Sequence, residues 1–153
     1  MSINILKYES DVWRTADLLI GAGIKQSDFP KYMMPYFALL MVESRLIREA
    51  KRLEEEIGKD NMDDFVEMFQ LEGLGYNDYL IRQGKTLKDI CKNDKSFDID
   101  FDAYLKSFDP ETKYLLGVDK GTEEEKFLDI SGISGQLKKK RILFETVKAW
   151  SEI

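Results

Sequence analysis

Four stretches of this chain combine residue types and spacing that point to chemistry. Asp98, Asp100 and Asp102 alternate as the first ligands of a calcium loop do, but Ala103 and Asp109 stand at the sixth and twelfth positions. Those positions of such a loop need glycine and a bidentate glutamate, so calcium is not expected. Gly21-Ala22-Gly23 and Gly73-Leu74-Gly75 are G-x-G pairs of the kind that cradle phosphates. Each follows an amphipathic helical pattern rather than a buried strand, so each reads as a helix stop. The run Lys138-Lys139-Lys140-Arg141 is the candidate phosphate contact. Four consecutive residues span more than one helical turn, so they cannot all face one ligand, and a solvated face is the default reading.

The usual catalytic parts are missing. The chain has no histidine and a single cysteine, Cys91. The commonest general base is therefore absent, no serine or cysteine stands in a nucleophile-elbow pattern, and no zinc set can be assembled. Aspartate and glutamate abound, but without a pocket no pair is nominated. The sequence yields no catalytic, cofactor-binding or metal-ligating residue.

The elements that must position these groups are helical. Ser10 or Asp11 can cap a first helix with Val12, Trp13, Ala16, Leu19 and Ile20 on its apolar face, and Trp13 is expected as a core anchor. Ser27 and Asp28 precede Phe29-Pro30, where proline suits a first helical position. The following Met33–Val42 is apolar on every face, which predicts a central rod buried all round. Pro35 either falls near the first turn at little cost or kinks this helix. From Glu43 to Ile57 only Leu46, Ile47, Ala50, Leu53 and Ile57 hold an apolar stripe among charges, read as a solvated face, with docking of a partner helix as the functional alternative. Gly58 ends it.

Asn61 is expected to cap a third helix over Met62–Leu71, and Thr86–Cys91 one or two helical turns, while Tyr76–Gly84 has no clear pattern. Asp100 or Asp102 is read as the cap of a helix through Ala103–Phe108, and Asp109-Pro110 as the start of another that Gly117 stops. Lys120–Glu125 is read as a loop or weak helix start, Asp129–Gly135 as a turn-rich linker, and Gln136–Ile153 as one terminal helix. A helix running into the last residue predicts a longer parent chain. The fold class expected is all-α, a compact bundle of about six helices around a long central one, forming a single domain over 1–153.

Composition narrows the setting. At 153 residues, 43% hydrophobic and 34% charged, the chain is globular with one core. A net charge of -6 repels nucleic acid at long range, so any DNA contact must be local or come through a partner. The longest uncharged run, Tyr32–Val42, is 11 residues, too short for the ~20 of a membrane span. No export signal precedes it, and a cytoplasmic, membrane-free protein is expected.

The segment from Val12 to Ile24 resembles the opening of type I restriction-modification DNA methyltransferase subunits, the modification (HsdM-type) subunit. There an aromatic residue, an Ala-x-x-Leu-Arg-Gly string and a short acidic link lead to Tyr-Ile-Leu-Pro. Here the link is Ser27-Asp28-Phe29-Pro30-Lys31 and the match is Tyr32-Met33-Met34-Pro35. A second stretch, Tyr104-Leu105-Lys106-Ser107-Phe108-Asp109-Pro110, is similar to the family's Tyr-Ile-x-Gly-Phe-Ser-Pro. Ile20 stands where the family often has arginine, and Leu40 and Met41 where it usually carries a basic pair, so no DNA contact is carried over to those positions.

The resemblance implies an all-helical N-terminal domain preceding a Rossmann-like S-adenosylmethionine domain. In the family that second domain holds an Asn-Pro-Pro-aromatic tetrapeptide for adenine N6 methylation of a flipped base. Pro30, Pro35 and Pro110 are the only prolines here, so this chain lacks that tetrapeptide. It is expected to bind no cofactor and to be no enzyme by itself, while the parent subunit would be an adenine-specific methyltransferase. The implied role is subunit assembly and DNA clamping, with the specificity subunit, a second modification subunit, DNA in the assembled complex and the restriction subunit as partners. The competing expectation is a free-standing helical protein-interaction module.

Overall fold

The computed structural model describes residues 13–14, 16–118 and 128–151. The expected cap at Ser10 or Asp11 and the loop Lys120–Glu125 lie outside them. Every regular element among the described residues is helical, and the all-α bundle around a long central helix is the observed architecture. Helix α1 includes residues 13–14 and 16–21, and a 3-10 turn at Gln26–Asp28 leads into the long α2 (Phe29–Ile57). Then come α3 (Met62–Leu71), α4 (Asp78–Ile81), α5 (Leu87–Ile90), α6 (Phe97–Lys106), α7 (Pro110–Leu116), α8 (Ile130–Lys139) and α9 (Leu143–Ser151).

Helix α2 is the axis because one face of it is apolar in strict register. Phe29, Tyr32, Tyr36, Leu39, Glu43, Leu46, Ala50 and Leu53 are its buried residues together with Pro35, and apart from that proline they recur at alternating steps of three and four. That spacing keeps one seam facing neighbours along a slightly underwound helix, as in a coiled coil. Its first half meets α8 and α9 through Tyr32, Tyr36 and Phe37, and the helix also packs against α3 and α4. Pro30 starts the helix, and Gly58, at φ 74°, ends it with its N–H on the Glu54 carbonyl. Pro35 is accommodated inside and is buried.

Five expectations change. The rod is not buried all round: Met34 and Met41 are 54% and 73% exposed, because packing takes only one face of an evenly apolar segment. Trp13 is 56% exposed; Ala16 and Leu19 turn inward, while Trp13 and Ile20, a heptad apart, share the outward edge. The linker reading of Asp129–Gly135 fails because Ile130, Ile133 and Leu137 bury one helical face, and Asp129 caps α8 through the Gly132 N–H at 2.9 Å. The glycines and serines between them are poor helix formers that tertiary packing overrides. The terminal helix is therefore two, broken where Arg141 takes φ 62°. Finally, α6 starts at Phe97 after Ser96, so Asp100 and Asp102 lie within it rather than capping it.

The seam makes a sharp prediction. Leu39→Ala, at a fully buried position, should cost about 2–5 kcal/mol. Met41→Lys, two residues on, should stay within about 0.5 kcal/mol of wild type. Equal losses in denaturant unfolding would show that the helix is phased differently.

Candidate functional site

Within the buried seam of α2 stands one charged residue. Glu43 occupies a position where the pattern calls for an apolar side chain, and it is only 7% exposed. Its Oε2 accepts two hydrogen bonds, from the Leu87 N–H at 2.8 Å and from the Tyr104 hydroxyl at 2.5 Å. Leu87 opens α5, so its N–H has no partner within that helix. The α2 carboxylate thus caps the start of α5, while Thr86 and Asp89 complete a capping box on the same turn. Burial pushes the Glu43 carboxyl above its ordinary value of 4.5; the bonds from Tyr104 and Leu87 oppose that rise, and the neighbouring Asp89 charge adds to it. Tyr104, enclosed by the core, is itself held well above the ordinary phenol value, first by burial and then by the carboxylate.

A second polar junction sits beside it. Asn77 is fully buried, caps α4 through the Tyr79 and Leu80 N–H groups, and donates from Nδ2 to the Tyr104 carbonyl at 3.0 Å. The backbone around it pairs with the turn between α6 and α7. The Asp109 N–H reaches the Tyr76 carbonyl at 3.0 Å, and the Tyr76 N–H reaches Asp109 Oδ1 at 2.9 Å. Gly75 is required there: at φ 99° any Cβ would also press on Asp109 Oδ1, 3.3 Å away. The segment Tyr104–Pro110 is therefore fixed at both ends, by Glu43 through Tyr104 and by residues 75–78 through Asp109. The other motif segment lies at the start of α2, where the Tyr32 hydroxyl donates to Gln136 Oε1 at 2.6 Å and the Tyr36 hydroxyl shares a hydrogen with Ser134 at 2.7 Å. One helix carries both tethers.

The basic run does not form a single surface. Lys138 and Lys139 end α8, and Lys138 Nζ stands 3.5 Å from Asp98. Lys140 donates to the Ala22 carbonyl at 3.3 Å, closing α8 onto the end of α1, and Arg141 occupies the left-handed turn. Lys139 and Arg141 are exposed. The three aspartates do not form one cluster: Asp98 faces Lys138, Asp102 lines the same cleft as Asp98 and pairs with Lys106 at 3.0 Å, and Asp100, off that face, accepts from Ser96 at 2.8 Å. Residues two apart on a helix do not share a face. Among the described residues no group of three His, Cys, Asp or Glu side chains is placed to hold a metal ion, and no helix is long and apolar enough to cross a membrane.

Sequence reasoning placed Glu43 at the start of a charged face and left Asn77 in an unassigned stretch. The alternating steps through Phe29, Tyr32, Tyr36, Leu39, Leu46 and Leu53 carried the signal for Glu43, since position 43 completes that series. For Asn77 the only local cue is an Asn followed by a short apolar pair, which many surface turns share.

The direction of the Glu43 shift fixes a pH dependence. A carboxyl bound to its proton more tightly in the fold than in the unfolded chain adds stability below 4.5, and that contribution is lost as pH rises through the folded value. Glu43→Gln keeps an acceptor oxygen and removes the titration. Wild type should therefore be more stable relative to this variant near pH 4 than near pH 7. A gap that is constant or grows with pH would contradict the burial of this carboxyl. Tyr104→Phe should cost about 1–3 kcal/mol, with the larger loss at neutral pH, where an ionised acceptor is left with one donor fewer.

Comparison of this chain with protein-family models, with curated proteins and with solved structures finds no match.

Proposed function

We propose that this chain is the N-terminal helical domain of a type I restriction-modification adenine-specific DNA methyltransferase subunit, serving subunit assembly and DNA clamping rather than catalysis. The reading rests on the match from Val12 to Pro35, joined to the all-helical fold that such a domain needs. Two further observations favour it. The two motif segments are tied to the same helix, Tyr32 and Pro35 within its buried face and Tyr104 through Glu43. Met34 and Pro35 of the first motif also line a groove of about 340 Å³ with Pro30, Lys31 and Ile133, on the face between α2 and α8. A mostly apolar groove rimmed by a half-exposed methionine suits contact with another subunit.

The alternative of a free-standing module relied on the stripe from Leu46 to Ile57 to receive a partner helix. Leu46, Ala50 and Leu53 of that stripe are buried within the chain, Ile47 is half-buried, and Ile57 alone of the five is strongly exposed. That face has little apolar area left to offer.

DNA in the assembled complex, S-adenosylmethionine in the catalytic domain of the parent subunit and a cytoplasmic setting belong to the same proposal. This chain should elute with the specificity subunit of its own system in size-exclusion chromatography. Met34→Glu, at an exposed position, should abolish co-elution without lowering the melting temperature. Calorimetry with S-adenosylmethionine should register no binding to this chain alone. Separate elution of the wild-type chain, or micromolar binding of the cofactor, would overturn the assignment of roles.

A further inference from the structure

We propose that the cleft between α5 and α9 is a binding site for a small polyvalent oxyanion of the phosphate or diphosphate class. Its walls are Lys88, Cys91, Lys92, Lys148 and Ser151, enclosing about 270 Å³. Three of these five side chains are ammonium groups, gathered in a protein whose net charge is -6. Convergence of like charges is unfavourable unless something compensates them, and the compensation present is small. Lys92 lies 3.2 Å from Asp89 Oδ1, but the other oxygen of that carboxylate already serves the Thr86 N–H and hydroxyl, at 3.0 and 3.1 Å. Among the described residues no carboxylate lies within ion-pairing distance of Lys88 or Lys148. Among the described residues Lys148 has the Phe144 ring beneath it, its Nζ 5.8 Å from the centroid.

The ordinary explanation for lysines here is that they complement the negative C-terminal ends of α5 and α9. The magnitudes do not close on that account. Each helix end is equivalent to roughly half a charge at most, and a helix of four residues to less. With one carboxylate added, these contributions come to about two negative charges against three ammonium groups, so about one positive charge is left over among the described residues. Its volume suits the ligand class: at about 30 Å³ per water it has room for a phosphate or diphosphate with part of its hydration. Ser151 spends its hydroxyl hydrogen on the Lys148 carbonyl at 2.7 Å, so it presents only lone pairs. The anion is therefore held by lysine point charges over the buried Cys91 side chain, and binding must weaken with salt.

The test is titration of the intact chain with sodium pyrophosphate at fixed ionic strength, followed by backbone amide NMR. Saturable shifts confined to Lys88, Cys91, Lys92, Lys148 and Ser151 are expected. The double substitution Lys88→Gln with Lys148→Gln should weaken binding by about tenfold or more, as loss of two of three cations requires, while leaving the melting curve unchanged. Lys139→Gln, outside the cleft, should leave affinity unchanged. Small unsaturable shifts at all exposed lysines, undiminished affinity in the double variant, or shifts of these residues with duplex DNA but not with pyrophosphate would each overturn the proposal.

Discussion

Helix α2 can serve as the axis of this bundle because its buried seam is continuous, and the seam is continuous only because Glu43 is satisfied inside it. A carboxylate carried into a core without partners costs several kcal/mol and would ordinarily be expelled, taking the helix register with it. Here the Leu87 N–H and the Tyr104 hydroxyl meet the same oxygen. Each of these donors would itself be a buried orphan without the acid. The three groups are mutually required, so the interaction fixes where α5 starts and how α6 lies across α2.

Aromatic packing and paired turns extend outward from that point. Tyr104 stacks in line with Phe101, which in turn stacks on Phe97 at 5.2 Å between centroids, and Phe97 meets Phe144 of α9 edge-on at 5.1 Å. On the other side Trp150 of α9 closes on Tyr36 and Phe37 of α2, at 4.9 and 5.8 Å. With the Glu43–Tyr104 bond, these contacts link α2 to α6, α6 to α9 and α9 back to α2. Short helices such as α4 and α5 would not persist alone, since a single turn cannot offset its own nucleation. They exist because Asn77 and Glu43 supply bonds from outside them.

Much of this was legible in the residues. Periodicity and capping gave the all-α class, the start of α2 at Pro30, the Asn61 and Asp109 caps and the stops at Gly58 and Gly117, because those signals are local. What escaped was decided by distant partners. An apolar run such as Met33–Val42 does not say which of its faces a neighbour will cover. Nor does Asp129–Gly135 announce a helix when its formation depends on burying Ile130 and Ile133 against the rest of the bundle. The cleft was least legible: the basic run Lys138–Arg141 is consecutive in the sequence, whereas Lys88, Lys92 and Lys148 come to one cleft only through the packing of α5 on α9.

A scaffold braced in this way holds its outer surfaces in fixed relation, which is what the proposed role in a multi-subunit complex asks of it. Exchange of the Leu87 amide hydrogen tests the bracing most directly, because the first N–H of a helix normally has no internal partner and exchanges fast. In wild type it should exchange as slowly as amides in the middle of α2, and in Glu43→Ala it should speed up selectively while amides of the α2 core remain protected. A Leu87 amide that exchanges in wild type as fast as that of the exposed Lys88 would contradict the account.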